Sequence, residues 1–169
     1  DRFTTYLEDG LYESEIIYAE TTPYQRIIIT RYRDEITLFL NGSIQFCTAD
    51  EYRYHECLVH PAMSQTPKHD NILILGGGDG MAAREILKYK DVKNLTVVDM
   101  DKAVTDLFSN NELLCKLNKN SLTNPRVTLK NQDAWQFLKN NTQKYNAVFL
   151  DLPDPKNIEL SKLYSRSFY

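Results

Sequence analysis

Two rhythms of apolar residues divide the chain. Up to about residue 60 the pattern is that of short strands and tight turns. Arg26-Ile27-Ile28-Ile29-Thr30 and Ile36-Thr37-Leu38-Phe39-Leu40 are dense in β-branched and aromatic residues, with polar Arg33-Asp34-Glu35 between them. Asn41-Gly42 is a hairpin signal, and Ser43-Ile44-Gln45-Phe46-Cys47 is expected to return as the next strand. Asp50 reads as the N-cap of a helix from Glu51 to about His60, which Pro61 is expected to end.

From residue 71 strands alternate with helices. Asn71-Ile72-Leu73-Ile74-Leu75 is continuously apolar, as in a strand covered on both faces. A helix over Met81–Tyr89 follows, with Ala82, Ala83, Ile86 and Leu87 on its apolar face. Leu95–Val98, Arg126–Leu129 and Tyr145–Leu150 predict three more strands, and Lys102–Phe108 and Ala134–Lys139 two more helices. The stretch from Asn110 to Pro125 reads as an irregular linker or a short helix. Such alternation predicts parallel βαβ units. The expected fold is therefore α/β: a small antiparallel β domain with a linking helix over 1–60, then a Rossmann-like, doubly wound, mainly parallel sheet over 61–169. Four parallel strands are few for such a sheet, and the chain has no initiator Met and stops at Ser167-Phe168-Tyr169. A fragment truncated at its C-terminus is the expectation.

Composition narrows the function classes. The 20 basic and 23 acidic residues are interspersed, with a net charge of -3 and no basic stripe for nucleic acid. Apolar runs are strand-length, far short of the about 20 residues that span a bilayer, and no signal-peptide pattern is present. Cys47, Cys57 and Cys115 match no metal or disulfide spacing; buried thiols in a reducing, cytosolic compartment are expected.

Candidate chemistry gathers at the strand ends, where open α/β sheets bind ligands. Asp79 follows the first parallel strand, Asp99 and Asp101 the second, Asp133 the third, and Asp151 and Asp154 the fourth. Helix capping explains Asp101 and Asp133 as readily as binding does. It explains Asp79 less well, since that residue lies inside Gly76-Gly77-Gly78-Asp79-Gly80. Nor does it suit Asp151, since Pro153 and Pro155 oppose a helix there. A glycine turn between strand and helix suits a nucleoside cofactor of several kinds. An ionised Asp within it would repel a pyrophosphate and attract a sulfonium or an ammonium. Asp99, about twenty residues past the glycines, is the acid expected at ribose hydroxyls. The ligand implied is an adenosine with a cationic tail. The loop Asp151-Leu152-Pro153-Asp154-Pro155 adds acids to that rim, whose repulsion a polyamine would relieve. Tyr52, Tyr54, His55 and Glu56 lie on the helix that leads into the α/β region, some on one face.

Five motifs occur in order: Tyr24-Gln25, Leu40-Asn41-Gly42-Ser43-Ile44-Gln45, Asp50-Glu51-Tyr52-Arg53-Tyr54-His55-Glu56, the glycine turn, and Asp151–Pro155. Together they resemble the spermidine synthases, or polyamine aminopropyltransferases, whose fold is that of class I adenosylmethionine enzymes. Asp50–Pro61 and Leu163–Tyr169 resemble the bacterial branch whose soluble domain follows a membrane-spanning N-terminal region. The resemblance implies aminopropyl transfer from decarboxylated S-adenosylmethionine, a co-substrate, to putrescine, with no prosthetic group and no metal. It implies Gln25, Gly76, Gly78, Asp79, Asp99, Asp133 and Ala134 at the nucleoside donor, with Asp79 on the aminopropyl ammonium. Tyr54, His55, Asp79 and Asp154 would place the amine, and Asp151 would be catalytic. It also implies a homodimer, on the cytoplasmic face of a membrane-anchored parent. Two positions depart from the family pattern. Asp99 stands where Glu is usual, and Asp-Leu-Pro-Asp replaces Asp-Ser-Ser-Asp or Asp-Ser-Thr-Asp, which bears on amine selectivity. A class I methyltransferase and a non-catalytic polyamine- or nucleoside-binding module are the alternatives.

Overall fold

The computed structural model describes residue 12, residues 14–155 and residues 158–169. By its contacts the chain forms two compact units, residues 1–55 and 56–169. The first is an antiparallel sheet in the order β1-β2-β3-β4, with β1 Glu15–Thr21, β2 Arg26–Tyr32, β3 Glu35–Leu40 and β4 Ser43–Cys47. Central β2 buries four consecutive residues, Ile27 to Thr30, whereas β3 buries Ile36 and Leu38 in alternation. The β3–β4 turn is Asn41-Gly42, both with positive φ (51° and 73°), as a two-residue hairpin requires. Its Asn41 also accepts from the Arg26 N–H through Oδ1 at 2.9 Å. Strand β1 was not expected from sequence. Its residues are only half covered and a register shift interrupts it between Ile16 and Tyr18, so it carries neither alternation nor a buried run.

Helix α1, Glu51–Gln65, runs past the expected stop at Pro61. Proline forfeits the hydrogen bond to the carbonyl four residues back. Here that carbonyl belongs to Cys57, and both residues are exposed, so water can take the bond. Buried Val59 and Met63 reward the extra turn. Exposed Cys57 and half-buried Cys47 also correct the expectation of three buried thiols; only Cys115 is buried.

The second unit holds a parallel sheet in the order β7-β6-β5-β8, formed by β5 Asn71–Gly76, β6 Asn94–Asp99, β7 Val127–Asn131 and β8 Ala147–Asp151. Central β5 and β6 are buried between their end residues, with Thr96 the polar member of β6; outer β7 and β8 are half exposed. The helices are α2 Met81–Ile86, α3 Lys102–Asn110, α4 Glu112–Leu117, α5 Ala134–Asn140 and α6 Ile158–Lys162, with a 3-10 turn at Ser121–Thr123. On one face of the sheet Leu73, Leu75 and Val98 pack with Ala134 and Phe137 of α5. Helix α2 ends three residues before the expected Tyr89. The Arg126 guanidinium donates to the carbonyls of Leu87, Tyr89 and Val92, so these face a cation instead of a further helical turn.

The strand order reverses between β5 and β8: the chain goes to one side after β5, through β6 and β7, and returns to the other side as β8. That reversal opens a crevice at the carboxyl ends of β5 and β8, the place where such sheets bind ligands. Among the described residues no helix is long and apolar enough to cross a membrane.

Candidate active site

The crevice is lined by the glycine turn and the end of β8. Gly76 pairs with Asp151 in register, and the Gly77 N–H donates to the Asp151 carbonyl at 3.1 Å. Gly76 has φ +84°, and a Cβ there would lie 1.9 Å from that carbonyl oxygen. Only glycine permits both the backbone angle and the approach. The turn then carries Asp79 onto the start of α2, where its Oδ1 accepts from the Met81 N–H at 2.8 Å. Asp79 thus caps a backbone donor as well as facing the crevice, a role the sequence reading had given low weight. A carboxylate oxygen of Asp79 lies within 4.8 Å of one from Asp151. Two like charges at that distance repel by about 3 kcal/mol at an effective dielectric of about 20.

Asp99, at the end of β6, sits behind the turn. Its Oδ2 accepts from the Gly78 N–H and its Oδ1 from the Asp101 N–H, both at 2.9 Å. A Cβ on Gly78 would stand 2.6 Å from Oδ2, so the cradle depends on that glycine. Burial pushes the Asp99 carboxyl above its ordinary range; the two N–H donors oppose this, and Asp101 and Asp151 add to it. Asp101 is 3% exposed and caps α3 through the Ala103 N–H. Asp133 caps α5 through the Gln136 N–H at 2.8 Å, with Ala134 buried beside it. Both acids therefore cap helices. The Gln132 N–H and the Asn131 amide donate to the Asp99 carbonyl, tying the loop that carries Asp133 to the end of β6.

The proline loop leaves β8 at Asp151, half buried, and exposes Asp154. The Tyr164 hydroxyl lies 3.1 Å from the Leu152 carbonyl and 3.0 Å from that of Pro153, pinning the loop from outside. Burial raises the Tyr164 phenol pKa, followed by the charges of Asp154, Tyr169 and Asp151. Sequence reasoning assigned Tyr164 no role beyond its place in a motif.

A second support lies in the stretch expected to be an irregular linker or a short helix, where α4 and the 3-10 turn stand. Asn118, fully buried at the end of α4, donates through Nδ2 to the carbonyls of Asp79 and Phe108, each at 2.9 Å. Ser121 donates to the Gly80 carbonyl at 2.6 Å. Between them Lys119 and Asn120 both have φ 55°, a left-handed pair that costs roughly 1–2 kcal/mol per residue. The signal was the density of Asn between 110 and 124, a residue that bonds backbone outside regular structure.

In the first unit, Gln25 occupies the β1–β2 turn, its backbone held by N–H donation to Thr22 Oγ1 at 3.0 Å and by a carbonyl that accepts from the Thr22 N–H. Tyr54 is exposed and its ring meets His55 edge-on at 5.0 Å. His55 is buried, its Nδ1 2.7 Å from Glu51 Oε2 and 2.9 Å from the Glu51 carbonyl. Both partners are acceptors, so Nδ1 carries the proton. Tyr54 and His55 line an open pocket of 390 Å³ together with Phe46, Asp50, Glu51 and Arg53 among others.

A third acidic group lies away from the crevice. Glu85 of α2 is 1% exposed, with Arg84 Nε on Oε1 at 2.9 Å and His60 Nε2 on Oε2 at 3.1 Å, and an ion pair to Lys88. Burial alone would raise its pKa; Lys88 and Arg84 together hold it below the ordinary value. Its oxygens are thus already engaged, and Glu56 joins the same knot through Lys88.

Fold and crevice define a doubly wound α/β domain whose glycine turn opens onto an acidic rim. The match of residues 51–169 to the spermine/spermidine synthase domain model is more particular: the chain belongs to that family. It is 52% identical over all 169 residues to a polyamine aminopropyltransferase of Leptospira interrogans and covers 34% of that protein. It is 49% identical over 162 residues to one of Oceanobacillus iheyensis, covering 96% of this chain and 32% of the relative. The chain thus spans about a third of the length of these curated relatives. A spermidine synthase solved in complex with the transition state analogue AdoDATO superposes with TM-score 0.80 at 26% identity, over 91% of this chain and 52% of that one. The spermidine synthase of Thermotoga maritima gives TM-score 0.81, also at 26% identity, over 91% and 51%.

Proposed function

We propose that this chain carries the donor site and the catalytic carboxylate of a polyamine aminopropyltransferase, which converts decarboxylated S-adenosylmethionine and putrescine to methylthioadenosine and spermidine. The observation that carries the reading is the Asp79–Asp151 pair, two carboxylates within 4.8 Å at the mouth of a glycine turn. An ammonium bound there removes their repulsion, whereas a carboxylate-bearing tail would add to it. Membership of the spermine/spermidine synthase family supports the same chemistry.

In this reading Gly76 and Gly78 shape the turn that receives the adenosine by letting that turn pack on Asp151 and Asp99, and Asp99 accepts from the ribose hydroxyls. Asp133 and Ala134 flank the adenine, Gln25 contacts the nucleoside, and Asp79 holds the aminopropyl ammonium. Tyr54, His55, Asp79 and Asp154 place the diamine. The neutral amine nitrogen attacks the methylene next to the sulfonium in line. The C–N bond forms, the C–S bond breaks, and its electron pair goes to sulfur, leaving a neutral thioether. The sulfonium is already activated, so orientation supplies most of the rate. A free carboxylate of pKa about 4 is a weak base for an amine near 10. The nitrogen becomes strongly acidic only as the C–N bond forms, so Asp151 orients it and takes the proton late. A homodimer, which the family resemblance implies, completes the reading, together with a longer membrane-anchored parent that carries this chain on its cytoplasmic face, supported by the likeness of Asp50–Pro61 and Leu163–Tyr169 to that bacterial branch.

Calorimetry with the full-length protein tests the donor assignment. Decarboxylated adenosylmethionine is expected to bind more tightly than the intact compound. The reverse order would favour a class I methyltransferase. Binding without methylthioadenosine release would leave a non-catalytic module.

A further inference from the structure

We propose that Asn118 and Ser121 are positioning residues for the donor's cationic tail, holding the backbone of Asp79 and Gly80 from behind so that the Asp79 carboxylate faces the crevice. The proposal rests on the donor reading above. Three observations carry it. Asn118 Nδ2 and Ser121 Oγ take the consecutive carbonyls of Asp79 and Gly80, at 2.9 and 2.6 Å, from about forty residues further along the chain. Both side chains are shut away from solvent, so neither bond is exchanged for water. The second bond of Asn118, to the Phe108 carbonyl, fixes which way its amide points.

The surroundings favour positioning over mere filling. The Asn118 Oδ1 is buried and has no hydrogen-bond partner among the described residues, a defect an apolar side chain would avoid. The chain also adopts two left-handed residues, Lys119 and Asn120, to bring Asn118 and Ser121 to adjacent carbonyls. Gly80 completes the fit: a Cβ there would stand 2.6 Å from Ser121 Oγ and 2.9 Å from Asn118 Nδ2. The glycine turn thus has a fixed back wall: the segment holds the backbone from which the Asp79 carboxylate projects, and the Met81 N–H holds the carboxylate itself.

The test compares decarboxylated adenosylmethionine with methylthioadenosine, the same nucleoside lacking the cationic tail, by calorimetry on the full-length protein and its Asn118→Ala and Ser121→Ala variants. The wild-type affinity ratio measures what the ammonium gains from the acidic rim. Loss of one buried hydrogen bond to the loop is expected to cut that ratio about tenfold, with methylthioadenosine binding changed less than twofold. If the wild type shows the gain and both variants keep it while melting earlier, the two residues only stabilise the fold and the proposal is overturned. If the wild type shows no gain, the donor reading itself fails and the positioning role with it. Should Asn118→Ala not fold, Ser121→Ala carries the same comparison.

Discussion

Replacing Gly78 by alanine strikes the donor site without removing any charged group. The new Cβ would stand 2.6 Å from Asp99 Oδ2 and 2.7 Å from its Cγ, where ordinary contact begins at 3.4 Å. The carboxylate must therefore retreat by roughly 0.8 Å. Asp99 has only two side-chain torsions, and both of its oxygens are engaged, by the Gly78 and Asp101 N–H groups. A retreat of that size breaks the Gly78 bond outright and bends the other. A hydrogen bond to a charged acceptor contributes about 1.5–3 kcal/mol. The loss of chain entropy in the unfolded state on Gly→Ala returns about 0.4–1 kcal/mol. The net cost to stability is about 0.5–2.5 kcal/mol, read by urea unfolding. Donor affinity should fall more than tenfold, because the acid assigned to the ribose has moved. Amine KM should change little. A Gly78→Ala protein with wild-type donor affinity, measured by calorimetry on folded material, would refute the link between this glycine, Asp99 and the nucleoside.

Three other outcomes follow from the same geometry. Asp151→Asn should lose about 10²-fold or more in turnover at saturating donor, as loss of a general base does; near-normal turnover would remove Asp151 from the chemistry. Glu85→Ala should destabilise by about 2–4 kcal/mol in urea unfolding, since it takes the carboxylate from the largely buried Arg84 guanidinium, which keeps its bond to the Leu117 carbonyl. A loss below 1 kcal/mol would show the knot to be solvated. Asp99 predicts a pH dependence. Its folded pKa is raised above the ordinary 3.8, so its stabilising share is complete below that value and is lost as pH rises through the folded pKa. The stability difference between wild type and Asp99→Asn should therefore tilt against the wild type as pH rises from 4 upward. A tilt the other way, in urea titrations across that range, would contradict the assignment.

The parallel half of the fold was readable because β5 and β6 are buried on both faces, which leaves an uninterrupted apolar run in β5 and a β-branched one in β6. The acid positions were equally open, since strand ends set where loops emerge. What the sequence concealed depends on contacts distant along the chain. Asn118 looks like any loop asparagine until the Asp79 carbonyl, 39 residues earlier, is brought to it. Tyr164 looks like a core aromatic until the Leu152 and Pro153 carbonyls meet its hydroxyl. Pro61 misled because local rules end a helix there, whereas buried Val59 and Met63 outweigh one lost bond on the wet side. Strand β1 escaped because an irregular edge strand carries no period.

The central claim is that the acidic crevice transfers an aminopropyl group. Its most direct test is methylthioadenosine release by the full-length protein given decarboxylated adenosylmethionine, with and without putrescine. The account predicts release that depends on the amine and is matched one for one by spermidine. Release of no methylthioadenosine, or methyl transfer from intact adenosylmethionine in its place, would contradict it.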